Sequence, residues 1–179
     1  MFPHNIDNEI SLILPNPKVH SSVMFNLIKA NREYIAKWLP WANKLQNVDD
    51  EMDFLNDNLD RYLSKKSLNL LIQYHGKIVG TISFNNINYN RQLADIGYWL
   101  GKDYSGHNIM HRCVLAMLLI GFDYYNLNKI MINAAVDNLP SNQVAKKCRF
   151  HLDGVLRENE RLLDGFHDEN NWSILRSEY

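Results

Sequence analysis

The residues best suited to chemistry lie in Ala94-Asp95-Ile96-Gly97-Tyr98-Trp99-Leu100 and, shortly after, Ser105-Gly106-His107-Asn108-Ile109-Met110. The first stretch reads as a strand and the second as a polar turn opening a long amphipathic helix. Such a helix start presents backbone N–H groups with no intrahelical partner, together with the positive end of the helix dipole. That combination suits a phosphate-bearing ligand. Gly106 allows close backbone approach. Asn108 tolerates positive φ better than most residues, so it can turn the chain at the helix start. His107, His111 and Arg112 can add positive charge there, a solvated helix face being the alternative for the last two.

Other side chains offer themselves less directly. In Trp38-Leu39-Pro40-Trp41, two aromatics on a short rigid turn could wall a pocket and exclude water. The alternative is packing beneath the first helices, which suits Trp38, whereas Trp41 lies past the helix end and is expected in the pocket. Asn138 and Ser141, around Pro140, read either as helix-capping and turn residues or as polar ligand contacts. Cys113 and Cys148 have no metal-ligand spacing and read as small buried hydrophobes. None of the seven histidines has a metal-binding spacing, so no metal is implied.

These residues must be positioned by regular elements. Residues 9–14 read as a strand ended by Pro15 and Pro17. Residues 19–39 read as helical, with Asn31 a candidate interruption. Residues 49–63 form a helix capped by Asp49 or Asp50, with Met52, Leu55, Leu59 and Leu63 as its stripe. Residues 67–74 and 77–84 form a hairpin around His75-Gly76, with Gly80 marking a bulge or a close backbone approach. Then come a polar loop (85–90), the central strand (93–100), the long helix (107–125) and a buried strand (129–136). Pro140 belongs in the first turn of the next helix. Residues 150–156 and 168–175 are the last strands, around the turn Asp164-Gly165. The result is a mixed sheet flanked by helices.

This order of elements resembles the GNAT superfamily of N-acetyltransferases, and within it the RimJ/RimL type that acetylates ribosomal-protein N-termini. The resemblance is carried by the acidic-Ile-Gly-Tyr-Trp-Leu strand with Gly101 and Asp103 after it, and by Trp38-Leu39-Pro40-Trp41. It is also carried by Asn138-Leu139-Pro140-Ser141 leading through Val144-Ala145-Lys146-Lys147 to Phe150, and by Asp164-Gly165, Asp168 and the closing residues 175–179. The family's pyrophosphate loop, Gln/Arg-x-x-Gly-x-Gly/Ala, is matched by Ser105, Asn108 and Met110 in place of the usual residues. Arg149 replaces a usual Gly. The resemblance spans nearly the whole chain.

It implies an α/β (α+β) GNAT acyl-CoA N-acyltransferase fold over residues 1–179 as a single domain. The sheet would be mixed and mostly antiparallel, splayed at a central parallel pair of strands, with acetyl-CoA entering the splay. The main chains of Tyr98, Trp99 and Leu100 would then lack a strand partner and pair with the pantetheine amides and thioester carbonyl. Backbone donors on a developing oxyanion contribute ~3–4 kcal/mol. Ser105, Gly106, His107, Asn108, Ile109, Met110 and His111 would hold the pyrophosphate. Losing one charge-assisted hydrogen bond from the altered loop would cost ~1.5–3 kcal/mol. Asn138 and Ser141 would contact the cofactor, and Ser141 could return a proton to the leaving thiolate. Asp95 would be the general base, acting through a water, unless it is a surface partner for a neighbour such as Arg91. Trp38 and Trp41 would bind the acceptor. Cys148 is the cysteine nearer the expected thioester. Glu160 and Tyr179 are weaker candidates, outside the catalytic set.

The implied reaction moves acetyl from acetyl-CoA to an amine by direct attack in a ternary complex. A protein α-amine has a pKa near ~8 and a lysine near ~10.4, a difference worth ~3 kcal/mol of deprotonation, so a modest base suits an N-terminus. Two alternatives stay open. One is a polyamine or small-amine acetyltransferase, hinted at by the Asp49-Asp50-Glu51-Asp53 cluster, which also fits a solvated helix start. The other is a GNAT-like binding protein without turnover, suggested by Ser105, Asn108 and Arg149.

Composition limits the partners. At 179 residues and 46% apolar, the chain can bury a sizeable core. Nineteen Lys and Arg against twenty Asp and Glu exclude a generally basic nucleic-acid surface. The longest apolar run, 114–122, is too short to span a bilayer. Residues 1–11 hold Pro3, Asp7 and Glu9 and no signal-peptide core. A cytoplasmic enzyme with acetyl-CoA and an amine acceptor as partners, and no nucleic acid or membrane, is expected; a homo-oligomer is left open.

Overall fold

The computed structural model describes residues 2–179. One sheet holds β1 (His4–Asn5), β2 (Ile10–Ile13), β3 (Leu68–Tyr74), β4 (Lys77–Asn88), β5 (Leu93–Leu100), β6 (Lys129–Ala135), β7 (His151–Leu162) and β8 (Gly165–Leu175). Their order is β1-β2-β3-β4-β5-β6-β8-β7. Every pairing is antiparallel except β5 with β6, which is parallel. The helices are α1 (Pro17–Ala30), α2 (Arg32–Ala36), α3 (Val48–Leu63), α4 (Ile109–Leu119) and α5 (Leu139–Lys147). This is the mixed, mostly antiparallel sheet with one central parallel pair expected above.

Local chemistry explains the helix ends. Asn16 caps α1 by accepting from the Lys18 N–H at 3.1 Å, and Pro17 occupies the first turn. The interruption expected at Asn31 separates α1 from α2. The cap of α3 is Asn47, not Asp49 or Asp50. Asn47 Oδ1 accepts from the Asp50 N–H at 2.9 Å while Asp50 Oδ2 accepts from the Asn47 N–H at 3.2 Å, a reciprocal capping box. The stripe of α3 is also rotated from the expected one: Glu51, Leu55 and Asn58 are buried, and Leu63 is exposed. α4 starts at Ile109 and passes into a π-helical turn, Ile120–Tyr124.

Side-chain alternation along β5 divides the core into two layers. Ala94 and Ile96 pack with Cys113, Val114 and Met117 of α4 on one face. Trp99 packs on the other face with Leu71 of β3 and with Met24, Ile28 and Ile35 of α1 and α2. Gly80 serves both expected purposes. Val79 is the extra residue of a bulge opposite Ile72 and Gln73, and a Cβ on Gly80 would collide with the Trp99 carbonyl oxygen. Among the described residues, no helix is long and apolar enough to cross a membrane.

Candidate active site

β5 and β6 pair only at Leu93↔Lys129, Ala94↔Ile130 and Asp95↔Met131. Beyond that point each strand keeps its outer neighbour, β5 staying on β4 to Leu100 and β6 staying on β8 to Ala135. The two strands therefore part, and one edge of each is left without a partner. Antiparallel pairs alternate between residues that exchange hydrogen bonds and residues that do not. The Gly101 N–H donates to the Val79 carbonyl at 2.8 Å, so Trp99↔Thr81 and Gly97↔Ser83 belong to the bonded set. Ile96, Tyr98 and Leu100 then turn their N–H and C=O groups toward the gap. This corrects the expectation for Trp99, whose main chain is engaged by Thr81.

A cavity of about 600 Å³ follows this gap. Every residue expected at the site lines it except His107 and Trp41. His107 bonds through Nδ1 to the Ser105 carbonyl at 3.2 Å, and its ring lies 6.4 Å from that of Tyr74. Arg112, a candidate for added positive charge, is paired instead with Asp7 at 2.9 Å and Glu9 at 2.7 Å.

One end of the cavity meets the start of α4. Asn108 has φ 58° and ψ 18°, the left-handed conformation anticipated for it, and its side chain makes no capping bond. The N–H groups of the first turn are thus not claimed by the cap. Gly106 has φ +84°, and nothing lies within 4 Å of where a Cβ would stand. Ser105 Oγ is 3.0 Å from Tyr34 Oη. Ile109 and Met110 bury their side chains in the core, so their offering is main chain only. His111 lines the cavity, and its Nδ1 is buried without a hydrogen-bond partner. An open, uncapped helix start beside an unpaired strand edge fits an extended ligand that ends in phosphates.

Two carboxylate positions face the cavity. Asp95 Oδ2 accepts from Asn85 Nδ2 at 2.7 Å, not from Arg91, and Asn85 Oδ1 accepts from Ser83 Oγ at 2.7 Å. Gly97 makes room for this amide; a Cβ there would lie 2.8 Å from Asn85 Nδ2. The second position is Glu160, a weaker candidate by sequence, with Glu169, which no sequence pattern singles out. Burial, then hydrogen bonding to Glu169 and the charge of that carboxylate, raise the Glu160 carboxyl above its ordinary range. Glu169 is buried and accepts from Asn159 Nδ2 at 2.7 Å. A wide bulge brings Glu160 there: β7 advances from Leu156 to Glu160 while β8 moves only from Glu169 to His167. The broken alternation of residues 157–160 was the available signal.

On the α5 side, Asn138 is an N-cap, its Oδ1 accepting from the Ser141 N–H at 3.3 Å, and it also lines the cavity. Ser141 Oγ lies 2.8 Å from Tyr98 Oη, and burial pushes the Tyr98 phenol well above its usual range, so it stays protonated. Asn142 anchors this helix. Its Nδ2 donates to the Ala135 carbonyl at 2.9 Å, and its Oδ1 accepts from Trp172 Nε1 at 2.8 Å.

Of the two tryptophans expected to bind the acceptor, one reaches the cavity and one does not. Trp38 lines the cavity. Trp41 stacks on Phe54 at 6.4 Å and tilts against Trp99 at 6.4 Å, a packing role. Cys113 and Cys148 are buried, and burial pushes both thiols up to about 12. Among the described residues, no group of three His, Cys, Asp or Glu is arranged to hold a metal ion.

Comparison with known proteins places this geometry. The family model described as "Acetyltransferase (GNAT) domain" matches residues 12–151. The ribosomal-protein-serine acetyltransferase of Escherichia coli (strain K12) is 29% identical over 151 residues, 84% of each chain. Among solved structures, the Microcin C7 self immunity acetyltransferase MccE, in complex with acetyl-CoA and AMP, is 31% identical. It covers 95% of this chain and 94% of its own, with a TM-score of 0.89. The ribosomal L7/L12 alpha-N-protein acetyltransferase RimL with coenzyme A is 23% identical, covers 96% of each chain and superposes with a TM-score of 0.92, a likeness of fold.

Proposed function

The chain belongs to the GNAT acetyltransferase family, and from that premise we propose that it acetylates the α-amine of polypeptide N-termini at the cavity along the β5–β6 gap. It is an acetyl-CoA-dependent N-acetyltransferase of the RimJ/RimL type; acetyl-CoA supplies the acetyl group as an activated thioester. The observation that carries the reading is the unpaired edge of β5 leading to the open start of α4.

The roles of individual residues follow from their chemistry. The main-chain groups of Ile96, Tyr98 and Leu100 hold the pantetheine arm and offer N–H donors where negative charge develops. The first turn of α4, with Ser105, Gly106, Asn108 and His111, holds the pyrophosphate. A general base works best with a pKa near the working pH. Glu160, raised by burial and Glu169, meets that need, while Asp95 is held by the Asn85 amide. We therefore assign deprotonation of the acceptor ammonium to Glu160 and its attraction and orientation to Asp95. Ser141, bonded to the protonated Tyr98 phenol, is the proton donor to the departing sulfur. Trp38 excludes water from the acceptor side.

A nucleotide-bearing amine is the second reading. The relative solved with acetyl-CoA and AMP favours it, as does the aromatic side chain of Trp38 in the cavity wall. Calorimetry with acetyl-CoA followed by acetylation assays with N-terminal peptides and spermidine, with and without AMP, tests both readings. The expected result is acetyl-CoA binding, α-amine acetylation of peptides and no competition by AMP. Turnover of spermidine but not of peptides would overturn the acceptor assignment. Glu160→Gln should lower kcat by ~10²–10⁴-fold, and Asp95→Asn should act mainly on acceptor KM.

A further inference from the structure

A second cavity, of about 340 Å³, begins where the first one ends. Trp38 and Leu162 line both. The elements around them are divided in the same sense. Tyr34 and Ile35 of α2 face the main cavity, while Glu33, Ala36 and Lys37 face the second. Glu160 lies in the first, and Leu163 and Asp164 at the hairpin tip lie in the second. Asn138 and Asp137 separate in the same way.

The two spaces differ in chemistry. The walls of the second are Ala36, Trp38, Leu162 and Leu163, and its rim carries Glu33, Asp137 and Asp164 against Lys37 and His167. His167 bridges Asp164 at 2.9 Å and Asp137 at 3.4 Å. Even with His167 protonated, three carboxylates face two cations. An apolar wall with an acidic rim suits a side chain that has an aliphatic stem and a cationic head.

We infer that this cavity is a specificity subsite for the acceptor polypeptide, taking lysine or arginine at the second or third residue after the reacting amine. The inference rests on the N-terminal acetylation reading above. Strand geometry sets the distance: Leu162 is a two-residue step along β7 from Glu160, a rise of about 7 Å. An extended acceptor whose amine is at Glu160 therefore passes Trp38 and Leu162 about two residues later.

The test measures kcat/KM for N-terminal peptides carrying Lys, Ala or Glu at positions two and three, using the wild-type enzyme and Asp137→Asn/Asp164→Asn. Both substituted carboxylates are solvent-exposed, so the variant is expected to fold. The wild type should favour Lys over Glu by about tenfold, mostly through KM, and the preference should shrink at high salt. The double variant should lose most of it. Peptides acetylated without any charge preference, or a preference that survives in the variant, would overturn the subsite and leave N-terminal acetylation standing. Acetylation of spermidine with none of any peptide would overturn both.

Discussion

A methyl group at position 97 is a sharp probe of how the cavity holds Asp95. Gly97→Ala puts a Cβ 2.8 Å from Asn85 Nδ2 and 2.9 Å from its Oδ1, too close for the amide to stay. Its displacement breaks the bond to Asp95 and the bond from Ser83, both 2.7 Å long. Asn85 is exposed, so water replaces part of each, and about 1 kcal/mol apiece is a fair scale. Glycine in a strand interior is itself weak by roughly 0.5–1 kcal/mol, which offsets part of the loss. The single variant should therefore be destabilised by about 1–1.5 kcal/mol, a fall in Tm of about 2–4 °C. In an Asn85→Ala background both bonds are already gone and the clash is absent. There Gly97→Ala should be neutral or mildly stabilising. The two substitutions then couple by about 1.5–2 kcal/mol, well above the ~0.5 kcal/mol scatter of independent sites. Urea denaturation of the four proteins measures this coupling. Additive values would refute the argument, because they would mean that the amide does not occupy the space above Gly97.

Three other outcomes follow from single positions. Arg149 ends α5 at φ 63°, inside a Schellman turn in which Phe150 N–H bonds the Ala145 carbonyl at 3.0 Å and Arg149 N–H bonds that of Lys146 at 3.0 Å. Arg149→Gly should stabilise by about 1 kcal/mol, the relief of left-handed strain less the added freedom of the unfolded chain; an unchanged urea midpoint would contradict this. Glu51 is 1% exposed with Oε1 unpartnered, and burial raises its carboxyl from 4.5 to about 7. A raised folded-state pKa means its contribution is fully present below pH 4.5 and is lost as pH rises through about 7. Glu51→Gln should thus stabilise by up to about 3 kcal/mol at pH 8 and very little at pH 4.5, as denaturation at the two pH values will show. Trp38→Ala should raise acceptor KM with little change in the melting temperature. Trp41→Ala should lose about 1–3 kcal/mol of stability through its ring contacts and leave KM largely alone.

Much of the scaffold was legible because it depends on neighbours a few residues apart. The hairpin around Gly76, the strand through Tyr98, the break at Asn31 and the left-handed turn at Asn108 all follow from side-chain period and backbone preference. Capping was harder to read. Asn47, Asp49 and Asp50 can all cap a helix, and the reciprocal bond between Asn47 and Asp50 decided among them.

The sequence by itself determined the order of the main elements and the residues that open α4, and its resemblance to a known family implied the parallel central pair. Tertiary structure alone decided who faces the cavity. Trp38 and Trp41 sit on one short turn, and only the packing of α3 beneath that turn turns Trp41 onto Phe54 and leaves Trp38 on the cavity wall. Trp99 gives up its main chain to β4 because of a register established across the sheet. Arg112 looks available for a phosphate until Asp7 and Glu9 arrive from the other end of the chain. Glu160 reaches the site only through an irregular register with β8. Dihedral preference and hydrophobic period act over a turn or two of chain, whereas strand register and the neutralisation of a charge depend on residues that folding alone brings together.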